Sequence, residues 1–163
     1  MPNRPGRLPG FEYQGFNTYF LTICTHKRVR AFDDREFGRW ALGQLLKQAK
    51  ARNFEVIAYC LMPDHVHLLV RGRSETADLR SLILSWNTRT AFEWRRRHAS
   101  ALWQSGYYDR ILRDHEHPYS VARYILMNPV KAGLAMRSED YPLCGTMELS
   151  IDEVLKAADD WMP

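Results

Sequence analysis

The fold is decided by one stretch of the sequence, which reads FEVIAYCLMPDHVHLLVR at residues 54–71. Its two halves are rich in β-branched, aromatic and aliphatic residues, a composition typical of β-strands. Pro63 and Asp64 interrupt the run, and this pair of residues favours a turn. We therefore predict a β-hairpin made of two strands, Phe54–Met62 and His65–Arg71.

The sequence on either side of the hairpin predicts the remaining elements from composition, spacing and helix-ending residues. Asp33 or Asp34 is suited to cap the first helix, and Pro129 is expected to end the third. In chain order they are a strand at 19–25 (YFLTICT), a helix to about residue 52, a helix over about 77–98, a strand at 107–113, a helix over 117–128 and a helix over 151–161.

The order of these elements is β-α-β-β-α-β-α, which predicts an α+β fold. It is the ferredoxin-like split β-α-β arrangement, a four-stranded antiparallel sheet with two helices across one face. The helix over 117–128, which carries Tyr124, is then expected on the other face of the sheet. A fold of this kind implies no particular chemistry.

Length and composition fit one compact domain and exclude general disorder. The chain has 163 residues, of which 45% are hydrophobic and 12% aromatic. No apolar run approaches the roughly 20 residues that cross a bilayer, and the start, MPNRPGRLPG, lacks the apolar stretch of a secretory signal. Three scattered cysteines are too few for a disulfide framework. We therefore expect a cytoplasmic protein without a membrane partner.

Charge is unevenly distributed along the chain. The formal net charge is +4, but residues 137–163 carry seven acids and two bases, which leaves 12 acids and 21 bases on residues 1–136. Of the 23 basic residues 18 are arginine, whose planar guanidinium binds phosphate. This composition fits a solvated basic surface or a polyanionic partner such as nucleic acid. We divide the chain into a domain over 1–136, beginning with a basic arm over 1–16, and an acidic tail over 137–163 with a short helix.

Two histidines begin the second strand of the hairpin. Because strand side chains alternate between faces, His65 and His67 share one face, and the apolar residues between and after them point to the other. Two imidazoles two residues apart on a strand can both reach one metal ion. The alternative is a pair of surface histidines, since the H-x-H pattern alone is not specific.

A tyrosine and an asparagine share one side of the predicted helix over 117–128. Tyr124 and Asn128 are four residues apart, whereas Ile125 and its apolar neighbours supply a different side for packing. A helical tyrosine is most often a core or boundary residue. Here the phenol and the amide lie off the apolar side, so Asn128 can supply an oxygen to a metal held by the histidines, and the phenol is a candidate nucleophile.

Three segments together resemble a known family. They are PDHVHLLV at 63–70, WQSGYYDRILRD at 103–114 and YILMNPVKAGL at 124–134. In this order, and with the strand YFLTICT before them, they resemble the HUH single-tyrosine transposases. Among these the chain looks most like the REP-associated tyrosine transposases, domesticated bacterial relatives of insertion-sequence enzymes. The resemblance covers residues 15–134.

The resemblance implies roles for individual residues. His65 and His67 match the metal ligands of the family, and Tyr124 matches its nucleophile. Asn128 matches the amide that completes the metal site, where relatives often have glutamine, which is one methylene longer. The implied cofactor is Mg²⁺ or Mn²⁺, although two imidazoles also suit other divalent metals in vitro.

The activity implied is that of a metal-dependent single-stranded DNA endonuclease and strand transferase. It would act at hairpin-flanked, REP-like repeats through a 5′-phosphotyrosine intermediate, without ATP. Insertion-sequence relatives work as dimers, whereas the REP-associated branch is expected to act as a monomer, and we expect a monomer here. The same resemblance implies a bacterial cytoplasmic location in association with the nucleoid.

Arginines are expected to hold the DNA backbone. The candidates lie on the arm, after the first and third strands and at the end of the long helix: Arg4, Arg7, Arg28, Arg30, Arg71, Arg73, Arg95, Arg96 and Arg97. For the run at 95–97 the alternative is a solvated helix end, where cations suit the helix dipole. Two further candidates would support the site. Asp64 can orient a histidine or only form the turn, and His117 lies seven residues before Tyr124.

Two rival interpretations stay open at this point. The first is a non-catalytic DNA-binding module that keeps the transposase fold and loses nothing when Tyr124 is replaced by Phe. The second is a structural zinc site that combines Cys60 with His65 and His67, which depends on the register of the hairpin. For the acidic tail, one hypothesis is that it covers the basic DNA-binding face and restrains activity.

Overall fold

The structure, a computed structural model, describes residues 11–161, which contain five strands and five α-helices. The strands are β1 (Thr18–Cys24), β2 (Phe54–Met62), β3 (His65–Gly72), β4 (Tyr108–Ile111) and β5 (Cys144–Gly145). The helices are α1 (Arg35–Ala51), α2 (Leu79–His98), α3 (Pro118–Leu126), α4 (Asn128–Lys131) and α5 (Ile151–Asp160).

The strands form one antiparallel sheet in the order β4-β1-β3-β2-β5. The predicted α+β fold with an antiparallel sheet is confirmed, and the strand count differs by one. The additional strand, β5, pairs Cys144 with Cys60 and Gly145 with Tyr59 at the free edge of β2. Two residues are too few to show the alternation that identifies a strand in a sequence, so this strand could not be predicted from local pattern.

Aspartates begin the two long helices. The side chain of Asp34 accepts hydrogen bonds from the backbone N–H groups of Glu36 and Phe37 at 3.1 and 3.0 Å, so Asp34 is the N-cap of α1. Asp78 caps α2 in the same way through Arg80 and Ser81, at 2.8 and 3.2 Å. These caps set the start of each helix because they satisfy backbone N–H groups that have no partner within the helix.

The main core lies between the sheet and helices α1 and α2. Alternation along β1 buries Tyr19, Leu21 and Ile23 on this face of the sheet. Trp86 of α2 is fully buried, and its indole N–H donates to the backbone carbonyl of Ala41 in α1 at 2.9 Å. This hydrogen bond joins the two helices where water has no access.

The predicted helix over 117–128 is two helices. Helix α3 ends at Leu126, and Pro129 lies in the first turn of a second helix, α4. A proline is tolerated there because the N–H it lacks would have no helical partner. The prediction that Pro129 ends the helix was therefore wrong, because the helix ends three residues earlier and Pro129 belongs to the next one. Asn128 consequently lies at the junction of α3 and α4.

The segment beyond residue 136 packs against the rest of the molecule. Tyr141 and Leu143 are buried, and the Tyr141 hydroxyl donates to the carbonyl of Leu61 in β2 at 2.9 Å. Helix α5 begins at a capping box formed by Ser150 and Glu153 and packs on α3. The predicted boundary at residue 136 stays a prediction. Across residues 11–161, no helix combines the length and the apolarity needed to span a membrane.

Helix α3 packs against β2 and β3 on the sheet face opposite α1 and α2. The side chains of that face include Phe20, Thr22, His65 and His67, as the antiparallel register of β1 and β3 requires. The fold therefore places the helix that carries Tyr124 over the face that carries both histidines.

Candidate active site

The two histidines of β3 lie side by side. The ring centroids of His65 and His67 are 4.8 Å apart, with the rings nearly perpendicular. His67 is buried and lies opposite Thr22 of β1, whereas His65 is half-buried at the start of the strand. The predicted placement on a shared face follows from the period of two along a strand.

Each histidine has a hydrogen-bond partner at Nδ1. His65 Nδ1 is 2.6 Å from the Asp64 carboxylate, which is also bound by the Arg28 guanidinium at 3.2 Å. His67 Nδ1 is 3.0 Å from the Thr22 hydroxyl. These contacts fix the orientation of both rings and leave the two Nε2 atoms as the groups that can bind a ligand.

His67 is held in its neutral form. Burial, with added effects from His65 and Arg28, lowers the pKa of His67 to about 4. A neutral imidazole keeps the lone pair that a metal ion requires. The donor set at this position, two oriented imidazoles of which one is neutral by burial, therefore fits a divalent metal.

Tyr124 reaches the histidines from α3. Its ring centroid is 5.7 Å from that of His67 and 6.0 Å from that of Phe20, in edge-to-face geometries. The side chain is 46% exposed, and its hydroxyl has no hydrogen-bond partner within the described part of the chain. A phenol that is exposed beside two oriented imidazoles is accessible to a substrate.

Asn128 lies next to Tyr124 but faces α3. Its side-chain N–H group donates to the carbonyl of Tyr124 at 2.7 Å and to that of Ile125 at 3.3 Å. These hydrogen bonds satisfy carbonyls at the end of α3 and join α3 to α4. The described hydrogen bonds of Asn128 do not include His65 or His67, so its role as a metal ligand stays a prediction.

The other predicted supporting residue, His117, lies away from Tyr124. It precedes α3 as its N-cap residue, and seven residues of helix separate it from Tyr124 by roughly 10 Å along the axis. Its ring stacks on Trp161 at 4.6 Å and contacts Tyr119 at 5.1 Å. Asp64, in contrast, contacts His65 directly.

Among the predicted DNA-binding arginines, one borders the histidines. Arg28 contacts Asp64, which contacts His65. Arg30 is two residues further along and forms an exposed ion pair with Asp33 at 2.7 Å. Only the first of these two arginines is therefore connected to the candidate site.

Arg71 and Arg73 lie at the far end of β3. Both contact the carboxylate of Glu55, at 3.7 and 2.9 Å. Six residues of strand separate Arg71 from His65, a distance of about 20 Å. The predicted contacts of Arg4 and Arg7 lie outside the described residues.

The run of arginines at 95–97 ends helix α2, on the opposite side of the sheet from Tyr124. Arg96 and Arg97 both bind Glu93, each at 2.7 Å. These hydrogen bonds lower the pKa of Glu93 to about 2. Arg95 forms no ion pair within residues 11–161. The structure thus separates this run from the histidines and does not test its role in DNA binding.

Three residues near the site were not predicted from the sequence. Thr22 orients His67, Phe20 contacts both His67 and Tyr124, and the Lys131 ammonium lies 5.4 Å from the Tyr124 ring centroid. Alternation along β1 places Thr22 and Phe20 on one face, but only the pairing of β1 with β3 shows which face it is. Lys131 lies beyond the predicted helix over 117–128, so its position beside the Tyr124 ring depends on α4, which the sequence did not predict.

Cys60 shares the sheet face of the histidines, since it lies opposite His67 in the β2–β3 register. Its thiol interacts instead with Cys144, and this hydrogen bond, together with burial, raises the pKa of Cys60. The thiol is thereby engaged with Cys144 of β5 and not with the histidines. In the described part of the chain, no three His, Cys, Asp or Glu side chains are grouped to hold a metal. These observations disfavour the zinc interpretation.

The chain is similar in sequence to known proteins. Residues 16–128 match the family described as "Transposase IS200 like". A Haemophilus influenzae protein, with the provisional name REP-associated tyrosine transposase, is 27% identical in an alignment 139 positions long, and the alignment covers 76% of each chain.

Two solved structures are similar in fold. One is a REP-associated tyrosine transposase bound to a REP hairpin; it aligns with a TM-score of 0.68 and 20% identity, covering 85% of this chain and 81% of the other. The second is a Deinococcus radiodurans crystal structure, provisionally described as a transposase, with a TM-score of 0.51 and 19% identity over 79% and 98% of the two chains. At these identities the two alignments establish a shared fold.

Proposed function

The chain belongs to the IS200-like transposase family, and from this premise we propose that it is a metal-dependent endonuclease and strand transferase for single-stranded DNA. The observation that carries the proposal is the position of Tyr124, whose exposed ring lies 5.7 Å from the buried ring of His67. We further propose that its substrate carries a REP-like hairpin, as in the solved relative of similar fold.

In the proposed reaction, the Tyr124 oxygen attacks the phosphorus of the scissile phosphodiester. A bond forms between that oxygen and phosphorus, the phenol proton is lost to solvent, and the bond to the 3′ oxygen breaks. The 3′ oxygen takes up a proton and leaves as a hydroxyl, while the 5′ end stays attached to the protein. A different 3′-hydroxyl then attacks the phosphotyrosine and restores the phenol, so no ATP is consumed.

His65 and His67 would hold the metal through their Nε2 atoms, with Asn128 as the expected third ligand. A bound Mg²⁺ or Mn²⁺ would offset the negative charge that develops on the scissile phosphate. The protein prepares these ligands through Thr22 and Asp64, whose contacts fix the two rings before any ligand arrives. These two contacts support a site that is preorganised for catalysis.

The test is covalent trapping. The protein is incubated with Mn²⁺ and a single-stranded oligonucleotide that folds into a REP-type hairpin, and products are separated under denaturing conditions. We expect a protein–DNA adduct with wild-type protein and no adduct with Tyr124→Phe, because the variant lacks the attacking oxygen. Tyr119→Phe, on the same helix but near His117, is the matched control and should form the adduct at the wild-type rate.

Binding separates this proposal from the non-catalytic alternative. Tyr124→Phe should bind the oligonucleotide with unchanged affinity, because it loses one oxygen and keeps the ring contacts with Phe20 and His67. Strong DNA binding by the wild type, without an adduct under Mg²⁺ or Mn²⁺, would contradict the proposed activity. It would favour a DNA-binding module that keeps the fold.

A further inference from the structure

Lys131 places a positive charge beside the proposed nucleophile. Its Nζ atom lies 5.4 Å from the centroid of the Tyr124 ring, within the range of a cation–π contact. The side chain is exposed at the end of α4. A lysine over an exposed aromatic ring is commonly a surface contact of small energy.

The backbone around Lys131 is fixed relative to Tyr124. The Asn128 side chain donates to two carbonyls of α3, and the Lys131 N–H donates to the carbonyl of Met127 at 3.0 Å. Pro129, the second residue of α4, is buried, and its carbonyl accepts the N–H of Leu134 at 2.8 Å. The backbone of Lys131 is therefore held in place, and only its four-carbon side chain is free to move.

Lys131 also differs from three arginines of this part of the molecule. Arg28 is paired with Asp64, Arg110 with Glu116 and Arg123 with Asp159. Within residues 11–161, Lys131 forms no ion pair with a carboxylate, and the ring of Tyr124 is its described contact. Its charge is thus available to an anion that approaches the phenol.

We infer that Lys131 binds a non-bridging oxygen of the scissile phosphate while Tyr124 attacks it. This inference rests on the proposed function and names a further residue for that reaction. The phosphorus must lie about 3–3.5 Å from the attacking oxygen, which brings the phosphate oxygens within reach of a lysine placed against the same ring. A positive charge there stabilises the pentacoordinate transition state, whose phosphoryl oxygens carry more negative charge than in the substrate.

The experiment measures the single-turnover rate of adduct formation for Lys131→Met, Lys131→Arg and wild type, in full-length protein with Mn²⁺ and the hairpin oligonucleotide. We expect Lys131→Met to slow adduct formation by about 10- to 100-fold, the loss typical of one charge-assisted hydrogen bond. Lys131→Arg should stay within about 3-fold of wild type because it keeps the charge. Lys47→Met, an exposed lysine on α1, is the matched control and should leave the rate unchanged.

A second measurement distinguishes phosphate binding from a structural effect. After the cleaved linkage has been mapped with wild-type protein, it is replaced by a neutral methylphosphonate, and binding is measured in the Tyr124→Phe background. Adding Lys131→Met should weaken binding of the charged oligonucleotide and leave binding of the neutral one unchanged. An equal loss for both oligonucleotides, or an adduct rate within 2-fold of wild type, would overturn the inference and leave the proposed function standing. Failure of wild-type protein to form any adduct would overturn both.

Discussion

At His67, burial and one hydrogen bond set the chemistry of the side chain. The ring is buried in the sheet face, and its Nδ1 atom is bound to Thr22, a residue of the neighbouring strand. Burial favours the neutral ring, and the Thr22 hydroxyl orients it. The alternation along β3 predicts His67 as a metal ligand. Its hydrogen-bond partner Thr22, however, lies 45 positions earlier in the chain and could not be predicted from that strand.

Thr22→Val should weaken metal binding. Valine has nearly the same shape as threonine but lacks the hydroxyl, so His67 Nδ1 would lose its partner and the ring its fixed orientation. We expect the affinity for Mn²⁺, measured by electron paramagnetic resonance of the free ion, to fall by roughly 10- to 100-fold. Thr22→Ser, which keeps the hydroxyl, should stay close to wild type, and so should Thr88→Val on the exposed side of α2. Unchanged affinity in Thr22→Val would show that this hydrogen bond does not support the ligand.

At the scale of elements, the junction of α3 and α4 decides where the side chains of Asn128 and Lys131 lie. A single unbroken helix was predicted over 117–128, whereas α3 ends at Leu126 and Asn128 begins α4, with its side-chain N–H donating to the carbonyl of Tyr124. Local signals could not locate this break, because proline fits both after a helix and within its first turn. Local patterns predicted strands β1 and β3, but they could not predict that these two strands pair with each other.

The end of β3 contains a close approach that only glycine permits. A Cβ atom at Gly72 would lie 1.8 Å from the backbone oxygen of Gly15, so alanine there requires the backbone to move. We expect Gly72→Ala to lower the free energy of unfolding by about 2 kcal/mol or more, measured by urea denaturation. Gly43→Ala is the matched control: nothing lies within 4 Å of its Cβ, and it should raise stability by roughly 0.5–1 kcal/mol through helix propensity. A neutral effect of Gly72→Ala would mean that the segment before β1 moves without cost.

At the scale of the whole molecule, the C-terminal segment contributes to the layer that holds the tyrosine helix. Val154 and Ala158 of α5 are buried, and Asp159 pairs with Arg123 of α3. Helix α3 therefore packs both on the sheet and on α5. The sequence predicts that this segment is acidic, but it does not predict that its helix packs on α3.

Val154→Asp should release α5 from α3. A carboxylate at this buried position would lie beside a cavity that Glu55 and Glu148 also line, so undocking of the helix is favoured over burial of the charge. We expect faster amide hydrogen exchange in α3 with unchanged protection of β1 and β3, and a loss of about 2 kcal/mol in stability. Lys156→Ala, on the exposed side of α5, should change neither quantity. Exchange that increases equally in the sheet would indicate that α5 supports the entire core.

Local patterns were sufficient for strands β1 to β4, the long helices and the shared face of His65 and His67. Alternation, capping aspartates and turn residues act within a few positions of the chain, so their consequences can be read without knowledge of the fold. The contacts of Tyr124 with His67, Phe20 and Lys131, and of Thr22 with His67, arise from strand pairing and helix packing. Those contacts join residues that are distant in the chain, and the burial of the sheet face brings them together.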